Sequence, residues 1–202
     1  MTTQILASQG ASTGEGILVV AATARELAAP DGWRTLLCGI GPVDSAAATA
    51  AAIAALAPMA VLHVGIAGAR RARALPPGAV VIGTEARYCD LDIPPQWAPN
   101  AVVASPALLR AVQDAMPSAV SLTIGTSARV GGTSACDVEA MEGFGVLRAA
   151  QLAGVPAIEV RAISNEIEEE DRARWHFALA FEAITRVTPT LVVAMQRALR
   201  HA

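Results

Sequence analysis

Apolar residues in this chain come in unbroken blocks rather than in alternation. ILVVAA (17–22), TLLCGI (35–40), AVLHVGIAG (60–68), GAVVIGTEA (78–86), VSLTIGTSA (120–128) and AIEVRAIS (157–164) are short and rich in β-branched residues. Strands covered by helices on both sheet faces read this way. Between the blocks the period lengthens to that of helices: 43–56 after a Gly-Ile-Gly-Pro turn, 106–115, 141–152, and 172 to the end, with a break expected at Pro189. Strands alternating with helices predict an α/β fold, a three-layer sandwich with a mostly parallel, mixed central sheet. Residues 46–62 have the length of a membrane span, but they are mostly Ala, contain Pro58, and divide into the end of a helix and the start of a strand. No membrane partner is expected.

Composition narrows the picture. The 202 residues suit one core, taken as a single domain over 17–202 behind a flexible lead-in, 1–16, that lacks the pattern of a signal peptide. Hydrophobic residues make up 53% and aromatics 3%, so Ala, Val, Leu and Ile must build the core. The net charge is −3 and the basic residues are scattered, apart from RRAR at 70–73; this is not a nucleic-acid footprint. Three cysteines, Cys38, Cys89 and Cys136, have no metal-ligand spacing and an odd count, which predicts no disulfide framework, no metal site and a reducing, cytoplasmic setting.

Ligands of such sheets sit beyond the carboxyl ends of the strands. The unusual residues gather there: Glu26 after ILVVAA, the GIAGA turn at 65–69, and Arg161 to Asn165 closing AIEVRAIS. Glu142, in AMEGFG, stands near a helix start, where a carboxylate is favoured by the helix dipole whether or not it has another task. The glycines of GIAGA leave room for a ligand or simply permit a tight turn.

MEGFGVLRAAQLAGVPAIEVRAISN (141–165) resembles the block of the purine nucleoside phosphorylase and nucleosidase superfamily in which Met-Glu opens a helix, Val-Pro starts the next strand, and Arg-Ala-Ile-Ser-Asp/Asn closes it. ILVVAATARELA, GIGPVDSAAATA and VGIAGARRARALPPGAVVIGTEARYCDLD are similar to its other segments, in the same order. The resemblance implies a nucleoside phosphorylase-like fold and a homo-oligomer. It also implies a small-molecule nucleoside substrate and no cofactor.

The resemblance further implies roles for individual residues. Glu26 resembles the general base that activates water in the methylthioadenosine and adenosylhomocysteine nucleosidases, and it would repel the phosphate of a phosphorylase, whose anion donors are absent at His63 and Ile66. Glu142 would accept both ribose hydroxyls and Met141 would lie against the sugar, with the backbone of Gly65, Ile66 and Gly68 close by. Arg161 would place water or orient a carboxylate; the alternative is a structural ion pair. Trp175 would wall the base pocket or belong to the core. The adenine-specific enzymes carry Asp where this chain has Asn165, whose amide suits the O6 and N7 acceptors of a 6-oxopurine such as hypoxanthine; the alternative is a strand-end cap. Adenine-directed hydrolysis, phosphorolysis and a non-catalytic nucleoside-binding module are the competing readings. Arg87, Tyr88 and Asp90 are assigned to the substrate mouth or an oligomer contact, the acid run 166–171 to solvated charge beside a helix start, and His176 to packing or surface. No stacking aromatic is found in SARVGGTSA.

Overall fold

The computed structural model describes residues 5–6, 16–94, 96–131 and 135–200. Of the expected lead-in, residues 1–4 and 7–15 lie outside these. Ile5–Leu6 (β1) pairs antiparallel with Arg34–Leu37 (β3) at the sheet edge.

The centre of the sheet is three parallel pairings. Ile17–Ala21 (β2) lies between β3 and Ala60–Ala69 (β4), and β4 is flanked on its other edge by Ala157–Glu166 (β9). Alternate residues of these strands face opposite helix layers. Ile17, Val19, Leu62 and Ile158 pack with Leu108 and Val112 of Pro106–Ala115 (α2) and with Ile184 and Leu191 of Phe177–Arg200 (α4). Leu18, Val20 and Val61 pack with Ala52 and Ile53 of Pro42–Leu56 (α1) and with Val146 and Leu147 of Gly143–Leu152 (α3). The three layers expected from the apolar blocks are present. Each such buried aliphatic contributes about 1.5–3 kcal/mol.

Beyond this sandwich the sheet curls. Val80–Tyr88 (β5) runs antiparallel to β9 and parallel to Val120–Thr126 (β7), which is parallel to Val138–Ala140 (β8). β8 then pairs antiparallel with Gly68 and Ala69 of β4, closing a ring of five strands around Ala67, Ala69, Val81, Ile124, Val138 and Ile163. Ala101–Val103 (β6) pairs with the free edge of β5. The strands β6 and β8 escape the apolar-block reading because each is three residues long.

Two helix boundaries differ from expectation. α3 begins at Gly143, two residues late, with Glu142 as its N-cap and Phe144 N–H donating to Thr126 Oγ1 at 2.7 Å. α4 begins at Phe177, after a short turn at Arg172–Arg174, and continues unbroken through Pro189. Pro189 lies on the exposed face, while Leu191, Val192 and Met195 hold the following turns on the sheet. The length and apolarity of α4 would permit it to cross a membrane, but its apolar stripe is the one packed on the core. Residues 46–62 divide as expected into α1 and the start of β4.

Candidate active site

At the carboxyl ends of β2, β4 and β9 lies a cavity of about 300 Å³. Glu26, Ile66, Gly68, Met141, Glu142 and Asn165 line it together, and Trp175 closes one side. Seven of the nine residues singled out from the sequence therefore share one wall system. Arg161 and Gly65 do not line it. They sit beneath it, and the reason is geometric.

Gly65 of β4 pairs in register with Arg161 of β9, and the guanidinium lies over the glycine: a Cβ on Gly65 would collide with Arg161 Nη1 and fall 2.9 Å from Glu26 Oε1. The room left by this glycine is filled by arginine rather than by ligand. Neither a turn nor a ligand approach explains it, because Gly65 is in mid-strand. Two residue pairs earlier, on the same face, His63 stands opposite Glu159 in register. Arg161 is almost fully buried. Its Nε donates to Glu159 Oε1 at 2.8 Å, its Nη2 to Glu142 Oε2 at 3.3 Å, and its Nη1 to the Ile66 carbonyl at 3.3 Å. Glu159 was not singled out from the sequence, since it stands inside an apolar block, although an acid two residues before an arginine on one strand face is the readable signal. Its other oxygen, Oε2, is buried without a hydrogen bond and rests where a Gly143 Cβ would stand.

Two of the cavity carboxylates are held in part by backbone. Glu26, 4% exposed, ends a short helical turn, Ala24–Glu26; its Oε2 accepts from Thr23 N–H at 2.8 Å and Thr23 Oγ1 at 2.9 Å, and its Oε1 from Ile66 N–H at 3.2 Å. Glu142 Oε1 accepts from Gly41 N–H at 3.2 Å, which requires the turn before α1 to adopt φ +93° at Gly41. Ser45 of α1 donates to the Glu142 carbonyl at 3.3 Å, so α1 and the start of α3 position this side chain jointly.

Charge in this cluster is unbalanced: Glu26, Glu142 and Glu159 surround one arginine. Burial pushes the Glu26 carboxyl above the usual range, more than the Arg161 charge and the Thr23 hydrogen bonds pull it down. Burial likewise raises Glu159 against the pull of Arg161. Burial alone would loosen the Arg161 proton, but Glu159, Glu142 and Glu26 bind it more tightly than usual. His63 is fully buried beside Arg161 and is kept neutral by both. The cluster thus offers an ionisable base of raised basicity, Glu26, above an arginine that is permanently charged.

Asn165 is 8% exposed. Its Oδ1 accepts from Ser164 Oγ at 2.7 Å and its Nδ2 donates to the Glu166 carbonyl at 2.8 Å. An amide nitrogen carries two protons, so one N–H remains beyond the bond to Glu166, and the residue lines the cavity. The capping expected as the alternative therefore coexists with a place in the cavity wall.

Trp175 is half-buried with Nε1 donating to the Glu169 carbonyl at 3.0 Å, and Phe177 and Phe181 continue the aromatic wall, with ring centroids 5.4 and 6.1 Å apart in sequence. These two phenylalanines were missed because they read as the first turn of an amphipathic helix. Arg25 lies over the Phe181 ring at 4.4 Å. From the SARVGGTSA loop, Val130 and Gly131 reach the cavity.

The remaining candidates fall elsewhere. Arg87 pairs with Glu85, Tyr88 stacks on Phe144 at 5.3 Å, and Asp90 accepts from Ser127 Oγ at 3.2 Å; none of the three lines the cavity. The acid run is paired rather than merely solvated: Glu166 with Arg71 at 2.6 Å, Glu168 with Arg70 at 3.5 Å and Glu169 with Arg174 at 3.2 Å. That pairing also accounts for Arg70 and Arg71 of RRAR, while Arg73 pairs with Asp137. Asp171 caps the turn at Arg172–Arg174 through Ala173 N–H.

Residues 34–201 match the family described as the phosphorylase superfamily. A futalosine hydrolase from Streptomyces coelicolor is 34% identical over 193 residues, covering 83% of this chain and 81% of its own length. Two solved structures share the fold. An S-adenosylhomocysteine nucleosidase from Streptococcus pyogenes, bound to 5-methylthiotubericidin, superposes with a TM-score of 0.77 at 21% identity, covering 93% of this chain and 99% of that one. A futalosine hydrolase of Helicobacter pylori superposes with a TM-score of 0.75 at 16% identity, covering 94% and 99%.

Proposed function

The chain belongs to the phosphorylase superfamily, and on that premise we propose that it hydrolyses the N-glycosidic bond of futalosine, releasing hypoxanthine and leaving dehypoxanthinylfutalosine for menaquinone biosynthesis. The 34% identity to a futalosine hydrolase over most of both chains supports the substrate.

The observation that carries hydrolysis over phosphorolysis is the bonding of Glu26. The Thr23 N–H and hydroxyl and the Ile66 N–H are the donors an oxyanion would recruit at this end of the sheet, and all three are engaged by a carboxylate. A phosphate approaching them meets negative charge. Water does not.

The reaction passes through a ribosyl species with oxocarbenium character, so charge must be managed on both faces of the sugar. Glu26 takes a proton from water as the water attacks the anomeric carbon. Its raised basicity helps, provided it is ionised. Glu142 accepts hydrogen bonds from the ribose hydroxyls while Arg161 Nη2 fixes the rotamer of its other oxygen. Met141 lies along the sugar, Gly68 floors the base, and the Trp175 wall excludes water from it. The remaining Asn165 N–H donates to hypoxanthine, shared between O6 and N7 of the departing base.

The reading includes a cytoplasmic setting, in keeping with three cysteines outside any disulfide, and a homo-oligomer, in keeping with Trp97 at 75% exposure, the exposed Val43 and the exposed Ile40 at the cavity. Neither a metal nor an organic cofactor has a part in it.

A paired assay tests the substrate. The chain is given futalosine, inosine and methylthioadenosine at equal concentration, and released bases are separated by chromatography. Hypoxanthine from futalosine is expected as the dominant product. Faster release of adenine from methylthioadenosine would make this an adenine-directed nucleosidase, and binding of futalosine without release of any base would make it a binding module.

A further inference from the structure

The cavity holds a third carboxylate. Glu139 is the middle residue of β8, 8% exposed, and lines the same space as Asn165. In register it stands opposite Gly68 of β4, and Gly68 stands opposite Asn165 of β9, so a single row across three strands reads Glu139, Gly68, Asn165. Residues directly opposed on neighbouring strands project from the same sheet face. Here that face is the reverse of the packed ring interior built from Val138, Ala140, Ala67 and Ala69.

The centre of the row is bare backbone. A Cβ on Gly68 would press on Asn165 Nδ2 at 3.1 Å and Ile167 Cγ1 at 3.2 Å, so the glycine makes room for the Asn165 amide over the middle of the row, and Asn165 and Glu139 line the same cavity from its two ends. With strands about 4.8 Å apart, the two end residues stand roughly 10 Å from one another at Cα, enough for the edge of a flat heterocycle.

We propose that Glu139 is a second base-reading residue, accepting the N1–H of a 6-oxopurine while Asn165 donates to its O6 and N7. The chemistry is complementary at both ends. A 6-oxopurine presents a donor at N1 and acceptors at O6 and N7, whereas a 6-aminopurine presents a lone pair at N1. A carboxylate can only accept, so it bonds the first and opposes the second. A buried site that leaves its polar groups unpaired with the wrong base discriminates far more strongly than one that merely fits shape. The pair reads the same ring from two strands, and neither residue alone distinguishes all three edge positions. This inference rests on the reading above of the leaving group as a 6-oxopurine and of Asn165 as facing it.

Calorimetric titration of the native chain, Glu139→Ala and Glu139→Gln with free hypoxanthine, 1-methylhypoxanthine and adenine provides the test, with circular dichroism to verify folding. The native chain is expected to bind hypoxanthine about 10- to 100-fold more tightly than 1-methylhypoxanthine, as befits a hydrogen bond to a charged group. In Glu139→Ala that ratio is expected to fall below about threefold. Glu139→Gln, whose amide can also donate, is expected to move the adenine-to-hypoxanthine preference about tenfold toward adenine, and it carries the test if the alanine variant does not fold. Native discrimination retained in the folded variants would overturn the inference while leaving Asn165 its role. Preference of the native chain for adenine would instead defeat the 6-oxopurine reading itself.

Discussion

Replacing Asn165 by Asp exchanges an amide for a carboxyl of the same shape at the place where the account assigns the leaving group. In the native chain Nδ2 donates to the Glu166 carbonyl at 2.8 Å while Oδ1 accepts from Ser164 Oγ at 2.7 Å. In Asn165→Asp an oxygen stands where the donor was and meets that carbonyl as a second acceptor. The site is 8% exposed, so water does not compensate. Losing the bond and leaving its partners unsatisfied costs about 1–3 kcal/mol, equivalent to about 5- to 150-fold. The carboxyl relieves part of this by keeping its proton, which turns it into an acid able to donate at one position while accepting at another, the pattern an adenine edge requires. The kcat/KM for futalosine is therefore expected to fall about 5- to 150-fold, and that for methylthioadenosine to rise or to fall by less. Both are measured by base release on the purified variant. A variant with lower activity but an unchanged ratio between the two substrates would refute the reasoning, because it would place position 165 outside base recognition.

Glu26→Gln is expected to lower kcat by about 10²- to 10⁴-fold with product affinity retained, as measured by initial rates and hypoxanthine titration. Because burial raises the folded-state pKa of Glu26 above its unfolded value, the native chain binds this proton more tightly, and stability is lost as pH rises through the folded pKa. The glutamine variant should therefore melt higher than the native chain above that pH, with the gap closing in acid; the native kcat/KM should fall as the pH drops through the same pKa. Gly65→Ala places a methyl on the Arg161 guanidinium and is expected to cost about 1–3 kcal/mol in urea unfolding and to displace Glu142 from its partner, with a rise in KM as the kinetic sign. Glu159→Leu strands Arg161 Nε in a dry interior and is expected to destabilise by about 3–5 kcal/mol; a loss under 1 kcal/mol, on the order of an exposed pair, would mean that the anchor described for Arg161 is dispensable.

Much of this was legible in the chain because two different signals coincide. The apolar blocks mark strands that need burial on both faces, and polar residues near their carboxyl ends, Glu26 just after β2 and Asn165 on β9, line the cavity that the fold puts there, with Arg161 beneath it. The structure brings Glu26, Glu142 and Asn165 into one space although they are far apart along the chain. What escaped depends on pairing. That Gly65 makes room for Arg161 follows only from the β4–β9 register, and that Glu139 shares a row with Asn165 follows from the closure of a ring through a three-residue strand. Composition cannot encode either. Pro189 misled for another reason: its missing hydrogen bond lies on the solvent side of a helix whose opposite face is firmly packed.

The central claim is that water, activated by Glu26, displaces the base, and phosphate has no part. Its most direct test follows hypoxanthine release from futalosine in phosphate-free buffer and again with phosphate in excess, while phosphorus resonance monitors the sugar product. Equal rates in the two buffers are expected, with no sugar 1-phosphate in either. A rate that rises with phosphate, together with one sugar 1-phosphate formed for each hypoxanthine, would contradict it.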